Sequence, residues 1–190
     1  MMTYKEKRMD RRRFMARTVV AGAGISAVAA STEGAQKKTI RIVGVSCSPR
    51  KGKTTATSVK VALEAAAGVD ERITTELIDL GGMEIGGWAG GAKPGEGTTP
   101  MDDFEDLVLP KLKDPVPDGL IIGSPSYFRS MSSLCKAFLE RLAVLRKPAL
   151  LLADKPVGVV SVGAYRNGGQ ELVINQIQTA MLCHEVTVVG

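Results

Sequence analysis

Ser46-Cys47-Ser48-Pro49-Arg50-Lys51-Gly52-Lys53-Thr54-Thr55 follows the short apolar run Ile40-Arg41-Ile42-Val43-Gly44-Val45. It precedes a segment with Ala56, Val59, Leu63 and Ala66 at helical spacing. A hydroxyl-rich, basic turn between a strand and a helix start suits a phosphate. The helix end offers unpaired N–H groups and partial positive charge. Ser46, Ser48, Thr54 and Thr55 add neutral donors, and Arg50, Lys51 and Lys53 add charge. The stretch therefore predicts a phosphate-bearing ligand held by an α/β fold.

Two ligand classes compete for the turn. Cys47 to Thr54 reads C-S-P-R-K-G-K-T, which fits the nucleoside triphosphate pattern G-x-x-x-x-G-K-[ST] except at its first position. A Cβ there opposes the tight loop. That chemistry also needs a carboxylate at the end of a later strand to hold magnesium. The later apolar run Gly119–Gly123 leads into Ser124-Pro125 and supplies none. A single-phosphate ligand such as flavin mononucleotide (FMN) is the other class.

The rest of the chain alternates strands and helices. Strands are expected at 40–45, 73–78, 119–123, 157–162 and 185–189, and helices at 54–67, 102–112, 132–146 and 170–183. Asp102 is a candidate N-cap, and Pro110 is expected to kink or end its helix. Leu134, Phe138, Leu142 and Leu145 form one stripe of the third helix. Continuous apolar strands between amphipathic helices mean a parallel sheet covered on both faces.

Three blocks in order resemble the flavodoxin-like NAD(P)H-dependent FMN reductases, a family that includes iron–sulfur flavoproteins. The first is Ser46 to Gly52, similar to S-G-S-P-R-x-G. The second is Gly123-Ser124-Pro125-Ser126-Tyr127-Phe128 with Leu134-Cys135-Lys136-Ala137-Phe138-Leu139-Glu140-Arg141, similar to G-S-P-[VI]-Y and L-K-x-F-[IL]-[DE]-R. The third is Val162-Gly163 through Gly168-Gly169-Gln170-Glu171, similar to a G-G-Q-E turn. The likeness covers roughly residues 40 to 190. It implies a doubly wound, five-stranded flavodoxin-like sheet in the order 2-1-3-4-5, with the ligand at the carboxyl ends of the strands near the switch point. Such folds normally close with a further helix, and none follows the fifth strand before Gly190. An incomplete chain, or a homo-oligomer covering the open face, is the expectation.

The resemblance also implies the site. Ser46, Ser48, Arg50, Gly52, Thr54 and Thr55 would hold the FMN phosphate. Ser124, Pro125, Ser126, Tyr127 and Phe128 would line the ribityl chain and ring. Gly163, Gly168 and Gly169 would meet the pyrimidine end. Cys47 stands where the family has glycine, so its side chain is expected to crowd the phosphate turn. Tyr127 and Phe128 are equally readable as loop anchors, and Trp88 as a lid or a packing residue. Arg129 and Arg166 are either solvated or placed to meet a nicotinamide nucleotide. The lone His184 reads as a cap or space-filler.

No metal is expected. Iron–sulfur members of the family carry a compact cysteine cluster after the second strand, but here 81–100 reads GGMEIGGWAGGAKPGEGTTP and has none. Cys47, Cys135 and Cys183 are scattered, which also excludes a zinc motif or a disulfide framework. Cys135 and Cys183 read as small buried residues on helix faces.

The first 37 residues are a separate segment. Asp10-Arg11-Arg12-Arg13-Phe14-Met15 resembles a twin-arginine export signal, followed by a Gly/Ala-rich apolar run over 18–30 that is too short for a comfortable membrane span. Residues 1–37 hold eight Lys or Arg against three Asp or Glu, and the remaining chain holds seventeen of each. The pI near 9.2 thus belongs to the leader. A neutral body over 38–190 gives no case for a nucleic-acid partner. The expectation is an exported FMN domain that passes hydride or electrons from NAD(P)H to a small acceptor or redox partner. An electron carrier of flavodoxin type and a nucleotide-binding P-loop protein remain the alternatives.

Overall fold

The computed structural model describes residues 38–88 and 102–190. The Arg11-Arg12 pair and the apolar run after it lie outside the described residues. Five strands pair in parallel in the order β2-β1-β3-β4-β5. They are β1 (Ile40–Ser46), β2 (Ile73–Asp79), β3 (Gly119–Pro125), β4 (Pro156–Val162) and β5 (Thr187–Val189). This is the doubly wound flavodoxin-like sheet. It brings the ends of β1 and β3 side by side, with Ser46 opposite Gly123.

Side chains alternate across a strand, and the two faces of β1 carry different residues. Val43, Val45 and Cys47 enter the main core with Leu120 and Ile122 of β3. That core is closed by Phe104 and Leu112, by Phe138, Leu142 and Leu145, and by Val173, Ile177 and Met181. The other face is floored by glycine. Helix α1 (Thr54–Ala67) buries Thr55, Ala56, Val59 and Leu63. A Cβ on Gly44 would stand 2.5 Å from the Val59 side chain, and one on Gly123 would stand 2.3 Å from it. The two glycines let α1 lie directly on the sheet.

The second helical region differs from its sequence pattern. A π-helical turn spans Phe104–Val108, and α2 (Leu109–Lys113) continues from it. Pro110 does not end the helix; it sits in the first turn of α2. A proline lacks an N–H and crowds the carbonyl four residues back, and the wider π turn ahead of it relieves both conflicts. The third helix is also shorter than its apolar stripe. Helix α3 (Ser133–Arg141) gives way to a 3₁₀ segment, Leu142–Arg146, which keeps Leu142 and Leu145 buried. The fourth, α4 (Gln170–Leu182), starts from Gly169, which adopts φ 87°.

Arg141 fastens the segment after β2. It is buried, lies 4.9 Å above the Phe104 ring, pairs with Asp102, and meets Glu105 at 2.8 Å. Asp102 in turn accepts the Gly86 amide at 2.8 Å, and Glu140 accepts the Trp88 amide at 3.0 Å. Among the described residues, no helix is long and apolar enough to cross a membrane.

Candidate functional site

The three loops at the carboxyl ends of β1, β3 and β4 are built differently. The β1–α1 loop is a basic, exposed turn on a buried base. Pro49 through Thr54 are exposed, whereas Ser46, Ser48 and Thr55 are buried. The side chains of Arg50, Lys51 and Lys53 have no partner among the described residues, and no side chain caps the start of α1. Free cations therefore stand beside uncapped helix amides, an arrangement that attracts an anion. Ser46 lies on the α1 face, and its buried hydroxyl has no hydrogen-bond partner.

The loop is held from below by residues that the sequence pattern did not single out. Asp79, the last residue of β2, accepts the Gly52 amide at 2.7 Å and the Gly81 amide at 3.2 Å. Gly52 adopts φ 66°, a conformation that favours glycine. The Ser48 hydroxyl accepts the Arg50 amide at 3.2 Å. Ser132 is the junction of the site. Its hydroxyl donates to the Cys47 carbonyl at 2.6 Å and accepts the Cys135 amide at 3.0 Å as the N-cap of α3. The Ser132 amide donates to the buried Ser124 hydroxyl at 3.1 Å. One serine thus joins the ends of β1 and β3 to a helix.

Cys47 does not crowd the phosphate turn. It continues the inward face of β1, is wholly buried, and packs beside Cys135. Burial pushes its thiol well above the ordinary range, and the neighbouring Cys135 adds to the shift. Cys183 is exposed rather than buried, because it lies just past the end of α4.

The second and third loops are tied to each other. The Ser126 amide donates to the Val162 carbonyl at 2.7 Å, and its hydroxyl donates to the Gly168 carbonyl at 2.6 Å. Tyr127 and Ser130 exchange two backbone bonds around Phe128 and Arg129, which both adopt positive φ. This tight turn costs energy for side-chain-bearing residues. It leaves Phe128 fully exposed at the tip and Tyr127 partly exposed; Tyr165 of the third loop is also largely exposed. Gln176 of α4 steadies the turn by accepting from the Ser130 hydroxyl at 3.0 Å and the Met131 amide at 3.1 Å. Gly169 closes the contact: a Cβ there would stand 2.8 Å from the Arg129 Cα.

The sequence-predicted residues thus fall into two groups. Arg50, Gly52, Thr54, Tyr127, Phe128 and Gly163 form the exposed rim, with Ser126 and Gly168 half-buried behind it. Ser46, Ser48, Thr55, Ser124, Pro125 and Gly169 are buried and shape the loops from beneath. A groove of about 600 Å³ opens between Pro49, the segment Gly82–Gly87 and the outer side of α3. Trp88 stands at the end of that segment, more than half exposed. His184 is buried and its Nδ1 has no partner.

A parallel five-stranded sheet with an anion-seeking first loop and two joined loops beside it defines a flavodoxin-like flavin-binding protein. The comparisons with known proteins agree. Residues 40–190 match the model of the NADPH-dependent FMN reductases, and the chain belongs to that family. It is 40% identical over 152 residues to an iron-sulfur flavoprotein of Methanocaldococcus jannaschii, covering 80% of this chain and 76% of the relative. An iron-sulfur flavoprotein of Methanosarcina thermophila is 32% identical over 152 residues, covering 80% and 78%. Among solved structures, RosB with a bound riboflavin-phosphate intermediate superposes with a TM-score of 0.63 at 18% identity, covering 79% of this chain and 62% of that one; this likeness bears on the fold. The apo form of an NADH:FMN oxidoreductase superposes with a TM-score of 0.53 at 25% identity, covering 80% and 72%. The chain is a flavin-dependent oxidoreductase whose cofactor is FMN.

The iron–sulfur part of the relatives' names does not carry over. A cluster is ordinarily held by four cysteine thiolates. This chain has three cysteines, and two of them are sealed in the core.

Proposed function

We propose that the chain is an NAD(P)H oxidoreductase of the flavin or quinone reductase type, working through FMN. The observation that supports this most is the β1–α1 loop, where unpartnered Arg50, Lys51 and Lys53 surround the uncapped start of α1. A single anionic group fits there. Arg50, with Thr54 beside it, would hold the FMN phosphate. The Tyr127–Phe128 turn would flank the ring, and the amides around Gly168 and Gly169 would face the pyrimidine edge. The bound flavin would supply hydride and electron transfer, and the chain would supply its position. Exposed Arg129 and Arg166 near the second and third loops support a nicotinamide nucleotide as donor.

The nucleoside triphosphate reading loses support from Asp79. This is the carboxylate closest in the fold to the first loop's glycine, and it is engaged by the Gly52 and Gly81 amides. The electron-carrier reading differs from an enzyme in kinetics alone. The test is the absorption spectrum of purified protein, followed by NADPH and NADH oxidation with FMN present. Flavin bands with catalytic turnover support the proposal. Flavin bands without turnover favour the carrier, and ATP binding without FMN binding would overturn both.

We also propose export by the twin-arginine route, on the strength of Arg11-Arg12 and the apolar run after them. Lys keeps charge without the planar fork of Arg, so changing Arg11, Arg12 and Arg13 together to Lys should retain the precursor in the cytoplasm. Normal export of that variant would sink the idea.

A further inference from the structure

We propose that Cys47 and Cys135 are a modification site: a buried dithiol that a hydroperoxide oxidises to an intramolecular disulfide, stapling the β1–α1 loop to the first turn of α3. Cys47 is the first residue after β1, and Cys135 lies in the first turn of α3. Both are wholly buried in the same core cluster. Cys135 lies near enough to Cys47 to add to the upward push on its thiol. The pairing is fixed by the backbone as well, because one oxygen, the Ser132 hydroxyl, bonds both the Cys47 carbonyl and the Cys135 amide. Both cysteines are thus anchored to one hydroxyl, and a disulfide requires backbones held close together.

The chemistry balances. A peroxide oxygen is transferred to one thiol to give a sulfenic acid and one water. The second sulfur then attacks the first, the S–S bond forms, and the sulfenic oxygen leaves as a second water. Two thiol hydrogens and two electrons pass to the peroxide. Hydrogen peroxide is the oxidant named here, and a reduced flavin that meets dioxygen is a source of it.

Burial holds the Cys47 thiol protonated, and the thiolate is the reactive form. Oxidation therefore waits for the loop to open. Pro49–Thr54, which follow Cys47 in the chain, are exposed, so moving them breaks few buried contacts. An anion clamped by that loop should hold it shut. This last point rests on the reading of the loop as the FMN phosphate seat; the disulfide itself does not.

The test uses the full chain carrying Cys183→Ser, which removes the exposed thiol. It is treated with hydrogen peroxide, with and without saturating FMN. Free thiols are counted by alkylation after denaturation, and linked peptides are mapped by mass spectrometry. The expected result without FMN is loss of both thiols and a peptide pair joined through Cys47 and Cys135. With FMN the rate should fall by roughly tenfold or more, as for a loop whose opening is suppressed. Retention of both thiols, or sulfinic acid without a cross-link, would overturn the proposal. A cross-link formed at equal rates with and without FMN would uphold the disulfide and remove the phosphate seat from this loop.

Discussion

The Asp79 carboxylate accepts the Gly52 amide at 2.7 Å across the gap between the end of β2 and the β1–α1 loop. A negative group thus braces a loop that is otherwise basic. It fixes the left-handed Gly52 and turns the loop's cations outward. Asp79→Ala should loosen the loop and weaken FMN binding by about 1 kcal/mol, the ordinary worth of a partly exposed hydrogen bond. Asp79→Asn keeps an acceptor and should fall between. Flavin fluorescence titration measures both, and unchanged affinity in the Ala variant would show that the brace is idle.

Arg50 is exposed and unpartnered, which leaves its guanidinium available to a phosphate. Arg50→Ala should cost roughly 1.5–3 kcal/mol of FMN affinity, the range for a hydrogen bond to a charged group. Folding stability should stay within experimental error, because the side chain is exposed and has no hydrogen-bond or ion-pair partner among the described residues. Equal FMN affinity in the variant would move the phosphate elsewhere.

Gly169 is constrained twice, by its φ of 87° and by the 2.8 Å approach of Arg129. Gly169→Ala should destabilise the domain by about 1–3 kcal/mol, the cost of forcing a side chain into that backbone region. Urea unfolding reads the loss. FMN binding should weaken with it, since the second and third loops would part. A stable variant with intact binding would show that the two loops need not touch.

Arg141 compensates Asp102 and Glu105 in a buried setting. Arg141→Met should destabilise by about 3–5 kcal/mol, because removing one partner leaves uncompensated buried charge. A small change in the urea midpoint would mean that water reaches the carboxylates.

His184 sets a pH dependence. Burial, with the charge of Arg146 adding to it, lowers its pKa below the ordinary 6.5. The folded state therefore resists a proton that the unfolded chain accepts. Above about pH 6.5 both states are neutral and this contribution is full. As pH falls from there toward the folded value, the unfolded chain binds the proton first and stability drops. His184→Gln should flatten the stability profile between pH 7 and 5. An unchanged slope would assign the loss to other groups.

Much of this architecture is legible in the chain. The apolar runs with their intervening helical stripes give the parallel sheet, and the three loop motifs lie where that sheet puts them. The bracing residues are harder to read, because their partners are backbone atoms far away in sequence. Asp79 looks like any strand-end carboxylate until Gly52 is placed beside it. Ser132 looks like a helix cap until the Cys47 carbonyl arrives at its hydroxyl. Cys47 could have been placed by strand parity alone: Val43, Val45 and Cys47 share a face, and that face is the core. Pro110 reads as a kink or an end to its helix, and the π turn ahead of it is a rarer accommodation that periodicity does not reveal.

The glycine floor beneath α1 has a consequence outside packing. Val59 rests where Gly44 and Gly123 leave no Cβ, and this sets how deeply the helix sits and where its amino end points. A side chain at either glycine would lift the helix and withdraw its amides from the phosphate seat proposed for the β1–α1 loop. Affinity at the surface is thereby governed from the interior. Selection for a tight grip on a phosphate would be felt about one and a half turns away, as intolerance of a single methyl group inside the sheet.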